Sequence, residues 1–313
     1  MSDQGQLTDE IHDICERAQV DVRVHARSLD GTREWGLEPN SICVTASTYK
    51  VAVLLELACQ YDEGRLSPTQ RVRVSHDTRS VGPTGISSMV DDVELSLRDL
   101  ALLMMQVSDN TATDVVQELV GTERISVRLA GLGLADTTIR LDCAGLVAEA
   151  IADLGGTLSP SEAEGIKNPA NPFGLAPQAY RAAVAASKSI NGLSGNTTTP
   201  RDMTTLLSLI WRDEAGSPEA CAEVRRIMAQ QYAPHRLSTA YNDGPSIAGK
   251  TGTFWGGIAN EVGVIDFGGS EAYAIAVFLR NRDFGMRNGR GNHAIGQVAR
   301  VVIDQLRLAG GAS

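Results

Sequence analysis

The sequence predicts an α+β protein of the α/β-sandwich kind: a five-stranded antiparallel sheet flanked by helices and joined to an all-helical lobe. Three patterns predict it. Residues 7–39 read as a helix followed by a two-stranded hairpin. Residues from 246 onward read as three glycine-separated strands and a closing helix, and the long middle shows helical periodicity. Two strands near one end and three near the other can share one sheet if the middle is inserted as a helical unit. The expected division is residues 1–46 with 233–313 as an α/β lobe, and residues 47–232 as a helical lobe with a long loop insert over 143–196.

Each element has its own warrant. Leu7, Ile11, Ile14 and Ala18 recur at helical spacing. In VDVRVHARSLDGTREWGLEP, Val22, Val24 and Ala26 alternate with polar residues, Asp30-Gly31 is a turn signal, and Trp35 sits on the return strand. TASTYKVAVLLELA (45–58) opens an apolar helix that runs towards Gln60. ELSLRDLALLMMQV (94–107) reads as a helix capped by Ser96, and NTATDVVQELVG (110–121) as another. Residues 143–200 are rich in Ala, Gly, Pro, Ser and Asn, with short helical pieces. PRDMTTLLSLIWRDEAG and SPEACAEVRRIMAQQY each open on a cap followed by proline. SIAGKTGTFW, NEVGVIDFGG and EAYAIAVFLRN are strands, and GRGNHAIGQVARVVIDQLRL is the closing helix.

Composition narrows the function. With 42% hydrophobic and 21% charged residues, the chain has the balance of an ordinary globular protein. A net charge of −10 argues against a nucleic-acid backbone or an anionic membrane as the main partner. MSDQGQLTDEIHDICERA lacks a basic segment followed by an apolar run, so a cytoplasmic location is expected. Five scattered cysteines, an odd number, read as reduced thiols. The five histidines stand far apart, so no metal and no cofactor are expected.

Three short strings carry chemistry. Ser47-x-x-Lys50 places a hydroxyl and an amine one helical turn apart, although a serine at a helix start is also an ordinary cap. Ser108-Asp109-Asn110 alone resembles a cap cluster, and Lys250-Thr251-Gly252-Thr253 alone resembles a strand edge. In this order they are the set an acyl-enzyme needs. That chemistry calls for a nucleophile beside a base, a second hydroxyl near a lysine for the leaving nitrogen, and backbone N–H groups for the oxyanion.

The chain resembles the class A serine β-lactamases and their penicillin-binding relatives. Beyond the triplets, PTGISSMVDDVELSLRDLALLMMQVSDNTATDVV (83–116), TTIRLD (137–142), TTTPRDM (197–203), KTGT (250–253) and NEVGVI (260–265) match in order. The resemblance implies a two-lobed β-lactamase/transpeptidase-like fold with its site between the lobes. It implies Ser47 as nucleophile, Lys50 in proton transfer, and Ser108 as relay to the leaving nitrogen. Asn110 would hold a side-chain amide, Lys250 and Thr251 a carboxylate. The N–H groups of Ser47 and Thr253 would form the oxyanion hole, and Gly252 and Thr253 count among the substrate-binding residues. Arg236 stands where some members keep a second carboxylate-binding arginine, and Trp255, with Phe254, would line a wall; a surface arginine and plain core packing are the alternatives for these.

The pattern departs after RLD. In the relatives a loop glutamate activates the water that frees the acyl-enzyme; here Gly145 aligns with it, Leu146 replaces a proline, and Cys143 and Asn196 stand where a bracing salt bridge should be. Glu149 would share a helical face with Gly145, which makes it a candidate base, with Glu162 and Glu164 as others; each is equally readable as a solvated glutamate. The leading expectation is a serine hydrolase that opens a β-lactam or related cyclic amide. The alternatives are a cytosolic amidase, esterase or acyltransferase on another substrate, and a slowly turning-over penicillin-binding protein. The expected partner is a small carboxylate-bearing amide or lactam, and the expected state a monomer or homodimer.

Overall fold

The computed structural model describes residues 3–156, 175–241, 243–286 and 288–310. The termini build one antiparallel sheet. Strands β1 (Val20–Ser28), β2 (Glu34–Leu37), β7 (Ser246–Phe254), β8 (Ile258–Asp266) and β9 (Ala272–Asn281) lie in the order β2-β1-β9-β8-β7. The sheet has the five strands expected, with hairpin and C-terminal strands joined through the β1–β9 pair, Val20 opposite Asn281.

The two central strands are buried on both faces, which explains their nearly unbroken apolar text. Side chains alternate between two cores. Tyr273, Ile275, Val277 and Leu279 of β9 pack with Leu7, Ile11 and Ile14 of helix α1 (Asp3–Ala18) and with Ile295, Val298 and Val302 of helix α10 (Gly289–Gly310). Ala274, Ala276 and Phe278, one residue out of phase, face Met203, Leu206 and Leu207 of helix α8 (Pro200–Trp211) and the buried helix α2 (Lys50–Asp62).

The inserted helices surround α2: α3 (Leu97–Gln106), α4 (Asn110–Val120), α5 (Thr122–Gly131) and α9 (Pro218–Met228). Two expectations shift in detail. ELS, read as the start of a helix, is instead strand β5 (Val93–Ser96), paired with β4 (Arg71–Val74); Ser96 still caps α3 by accepting from the Asp99 N–H. The Ser47 helix begins as a 3₁₀ turn over Ala46–Tyr49 before α2.

The rebuilt segment after RLD forms helix α6 (Cys143–Asp153) and helix α7 (Pro177–Ala186), followed by β6 (Thr197–Thr198), which pairs with β3 (Cys43–Val44). Glu162 and Glu164 lie outside the described residues. Tyr180 and Val184 of α7 pack with Ile190, Leu154 and Ile258, and Phe254 and Trp255 rest against them. The described parts of this segment are therefore a packed wall over the β7–β8 turn. Gly256 makes that contact possible. It has φ +74°, and a Cβ there would stand 2.4 Å from Ile190 Cγ2. Gly256→Ala should destabilise the protein by about 1–3 kcal/mol through strain and overpacking. A urea midpoint equal to wild type at unchanged slope would contradict the packed wall.

Candidate active site

Ser47 sits on the 3₁₀ turn that opens α2, preceded by Ala46 at φ +46°. Three contacts fix this turn. Asn260 of β8 donates from Nδ2 to the carbonyls of Val44 (2.9 Å) and Thr45 (3.2 Å). Thr45 donates its N–H to the Asn196 carbonyl. Gly252 of β7 lies so close that a Cβ would be 2.9 Å from the Thr45 carbonyl oxygen. Thus KTGT, an edge strand, runs directly against the Ser47 turn, and the glycine is what permits the approach.

Lys50 follows Ser47 by one turn and is fully buried. Its Nζ donates to the Ser108 carbonyl (2.9 Å), the Ser108 Oγ (3.3 Å) and Asn110 Oδ1 (3.0 Å). Ser108 adopts a left-handed φ of +59°, unusual for serine, and this strained turn is held from both sides. Lys50 grips its carbonyl. Next to it, buried Asp109 caps α4 and accepts from Ala112 N–H (3.2 Å), Ile86 N–H (2.6 Å) and Ser87 Oγ (3.2 Å). Asn110 also donates to the Val81 carbonyl at 2.7 Å. The Ser108 and Asn110 motif therefore meets the Ser47–Lys50 motif at the Lys50 amine.

Burial holds the Lys50 amine below the ordinary lysine range, partly offset by Cys143, which also hydrogen-bonds it, and by the negative charges of Asp114 and Asp109. In its neutral form it keeps donors for the Ser108 carbonyl and Asn110 and frees a lone pair for a hydroxyl proton. Lys250 is likewise fully buried, donates to the Thr251 carbonyl (2.9 Å), and has its pKa pushed well down by burial and by the Lys50 charge.

The far wall is β7. Thr251 donates its N–H to Gln231 Oε1 at 2.5 Å, off the sheet's edge. Strand alternation points the Thr253 N–H the same way, towards the free edge that Ser47's turn faces. Arg236 is only 3% exposed and lies behind this strand. It donates to the carbonyls of Gly252 (2.9 Å) and Asn260 (2.6 Å), to Asn292 Oδ1 (2.9 Å), and to Thr253 Oγ1 (2.7 Å). Its link to the exposed surface of the strand is the Thr253 hydroxyl.

Several residues in and around this arrangement carried no expectation. Glu261, opposite Thr251 in β8, is buried among Arg236, Lys250, the Gln231 amide (2.7 Å) and the Leu237 N–H (2.6 Å), and burial raises its pKa. A glutamate inside the apolar run NEVGVI was the available signal, since a buried charge needs partners. Asn260, Gln231, Tyr49 and Asp114 show no such anomaly in the sequence.

Helix α6 presents one apolar stripe towards this site. The Cys143 thiol shares a 3.1 Å hydrogen bond with the Tyr49 hydroxyl, Leu154 packs with Ala46, and Val147 and Ile151 pack with Val81 and Trp255. Glu149 lies half a turn away, on the opposite face. Its Oε1 is 3.5 Å from Arg140, and its Oε2 lies against Gly195 with no hydrogen-bond partner among the described residues. Gly145, four residues back on that face, donates to Asp142 Oδ1 at 2.7 Å. The structure brings the three motifs, Arg236 and Trp255 around Ser47's turn, and directs Glu149 towards Arg140. Among the described residues no group of His, Cys, Asp and Glu is arranged to hold a metal ion, and no helix is long and apolar enough to cross a membrane.

Comparison with known proteins identifies the family and the fold. The model of the beta-lactamase enzyme family matches residues 6–306. The beta-lactamase regulatory protein BlaB of Streptomyces cacaoi is 25% identical over 96% of this chain and 97% of its own. Among solved structures, a mutant of PBP-A in its acyl-enzyme complex with penicillin G superposes with a TM-score of 0.73 at 22% identity, covering 97% of each chain. A beta-lactamase from Sphaerobacter thermophilus does so at 0.72 and 21% identity, covering 98% of each. At these identities the solved structures speak for the fold.

The depressed Lys250 has a thermodynamic consequence. The folded state binds fewer protons there than the unfolded chain, so stability rises with pH between the depressed value and the ordinary 10.5. Lys250→Met, which removes the titrating amine, should compare most favourably with wild type below this window, its margin changing by about 1.4 kcal/mol per pH unit within it. That margin should shrink as pH rises through this window. Urea melts across the alkaline range measure it, and a margin independent of pH would contradict the depressed lysine.

Proposed function

This chain belongs to the beta-lactamase enzyme family, and we propose that it is a serine acyl-transfer enzyme whose Ser47 opens a β-lactam or a related carboxylate-bearing cyclic amide. The observation that carries the reading is the Lys50 amine, one turn after Ser47 and hydrogen-bonded to both Ser108 and Asn110. Ser47 Oγ attacks the carbonyl carbon and its proton passes to Lys50. The C–N bond breaks, and the leaving nitrogen takes a proton through Ser108. The N–H groups of Ser47 and Thr253 hold the oxyanion. The ligand carboxylate lies at Thr251 and Thr253, beside Lys250. Arg236 acts through Thr253: by donating to Oγ1 it leaves the hydroxyl hydrogen to point outward at an anion.

Release of the acyl group is slow on this reading. The side of α6 that faces the Ser47 turn carries Cys143, Val147 and Ile151, with Leu154 just past its end, and Glu149 is engaged on the other side. A missing positioned base costs about 10²–10⁴ in rate. A long-lived adduct also suits a sensor of β-lactams, a use supported by the regulatory name of the Streptomyces cacaoi relative.

Intact-mass spectrometry after exposure to a penicillin and a cephalosporin tests both steps. Wild type should gain the mass of the antibiotic and keep it for many minutes; Ser47→Ala should gain nothing. Rapid loss of the adduct with product, prolonged in Glu149→Gln, would give the base role back to Glu149. No adduct with either antibiotic would reject β-lactams and turn the search to activated esters.

A further inference from the structure

Asp114 lies on α4, one turn beyond Asn110, and its carboxylate reaches across to the start of α6. Its Oδ1 accepts from the Cys143 N–H (2.6 Å), its Oδ2 from the Ala144 N–H (3.0 Å) and from the Ser80 hydroxyl. The residue so anchored, Cys143, meets the hydroxyl of Tyr49, the immediate neighbour of Lys50. Buried Tyr49, Lys50 and Cys143 and the half-buried Asp114 thus form one cluster at the back of the site.

The cluster raises the question of what balances a buried Lys50 ammonium. Cys143 faces Lys50, but burial pushes its thiol up to about 12, so it is uncharged at neutral pH. Lys250, from β7, is a cation or a neutral amine and offers no negative charge. Tyr49 is buried, with its hydroxyl held far above neutrality. Ser108 and Asn110 contribute dipoles only. Two carboxylates remain, Asp109 and Asp114. Burial, and after it the negative charge of Asp142, raise the Asp114 carboxyl; its hydrogen bonds from Ser80 and from the Cys143 and Ala144 N–H groups, at the N-terminal end of α6, favour the anion.

We propose that Asp114 is a positioning residue for Lys50: it fixes the first turn of α6 against α2 and α4, and its carboxylate is a fixed negative charge that governs how readily Lys50 gives up a proton. The proposal rests on Lys50 acting as the base for Ser47, as read above. It assigns the task of charge-balancing Lys50 to α4, so that α6 need carry no carboxylate on the face it turns to the site.

The chain offers an unusually clean test, because it contains four lysines: Lys50, Lys167, Lys188 and Lys250. Lysine labelled with ¹³C at Cε gives four resonances, and Lys50→Arg identifies the one from Lys50. In Asp114→Asn the Lys50 titration midpoint should fall, since removal of a negative charge disfavours the ammonium. The low-pH limb of Ser47 acylation should fall with it. Asp114→Glu, which keeps the charge, and Tyr49→Phe, which loosens the anchor without changing charge, should leave the midpoint in place. A merely structural Asp114 would lower acylation at every pH and move no midpoint, which would overturn the proposal.

If Asp114→Asn does not fold, wild type and Ser80→Ala supply the reading. The Lys50 signal should show a second inflection in the acid range, as Asp114 protonates. Ser80→Ala withdraws a hydrogen bond from the anion and should move that inflection to higher pH. Absence of the inflection, or its indifference to Ser80, would also overturn the proposal. The titration needs no substrate. A Lys50 midpoint dependent on Asp114 without any acylation would discard the functional reading alone, and acylation with an indifferent midpoint would discard Asp114 alone.

Discussion

Lys50 and Lys250 are both withdrawn completely from solvent, and the charge of each disfavours that of the other. Two ammonium groups cannot be buried side by side without either losing protons or gathering negative charge and carbonyl dipoles. The surroundings do both. The Ser108 turn supplies a carbonyl to Lys50 and the Thr251 carbonyl serves Lys250. Asp109, Asp114 and Glu261 contribute carboxylates from three different places, each tied down by N–H donors of its own. A left-handed serine is tolerated because the same amine that requires its carbonyl also holds it in place.

The demand for close approach organises the scaffold. β7 can lie against the Ser47 turn because Gly252 has no side chain, and Asn260 ties the backbone of that turn to β8. β8 in turn is the neighbour of β9 at the centre of the sheet, where both faces are covered by helices. The most deeply buried strands of the sheet therefore set the distance between the nucleophile's turn and the strand expected to bind the ligand.

Much of this was legible in the sequence, for identifiable reasons. The sheet was readable because the hairpin alternates with a period of two and the last strands are apolar runs bounded by glycine. The three motifs were readable because their chemistry needs specific side chains at fixed spacing. The strand β5 was hidden, since ELS continues into a helical run and its partner β4 is charged on one side, as an exposed ribbon permits. The roles of Asp114, Tyr49 and Gln231 were hidden for another reason: their partners lie 20 to 94 positions away, and nothing local marks them. The side to which Glu149 points also escaped the sequence. Helical spacing ties it to Gly145, but only packing decides whether that shared face or the Cys143–Val147–Ile151 face turns inward.

That choice follows from burial. α6 has one continuous apolar stripe, and the alternatives were to bury it against Tyr49, Val81 and Trp255 or to leave it in water. At roughly 25 cal/mol per Å² of apolar surface, burying two branched side chains and a half-buried indole outweighs one weak ion pair such as that of Arg140 with Glu149. The helix therefore turns its apolar side to the site, whatever the glutamate would prefer. On the proposed reading this separates the two halves of an acyl-enzyme cycle physically. The groups for attack stand on α2, α4 and β7, elements locked by buried hydrogen bonds. Among the described residues the candidate base for release stands on α6, and the hydrophobic effect has placed α6 with that carboxylate facing away.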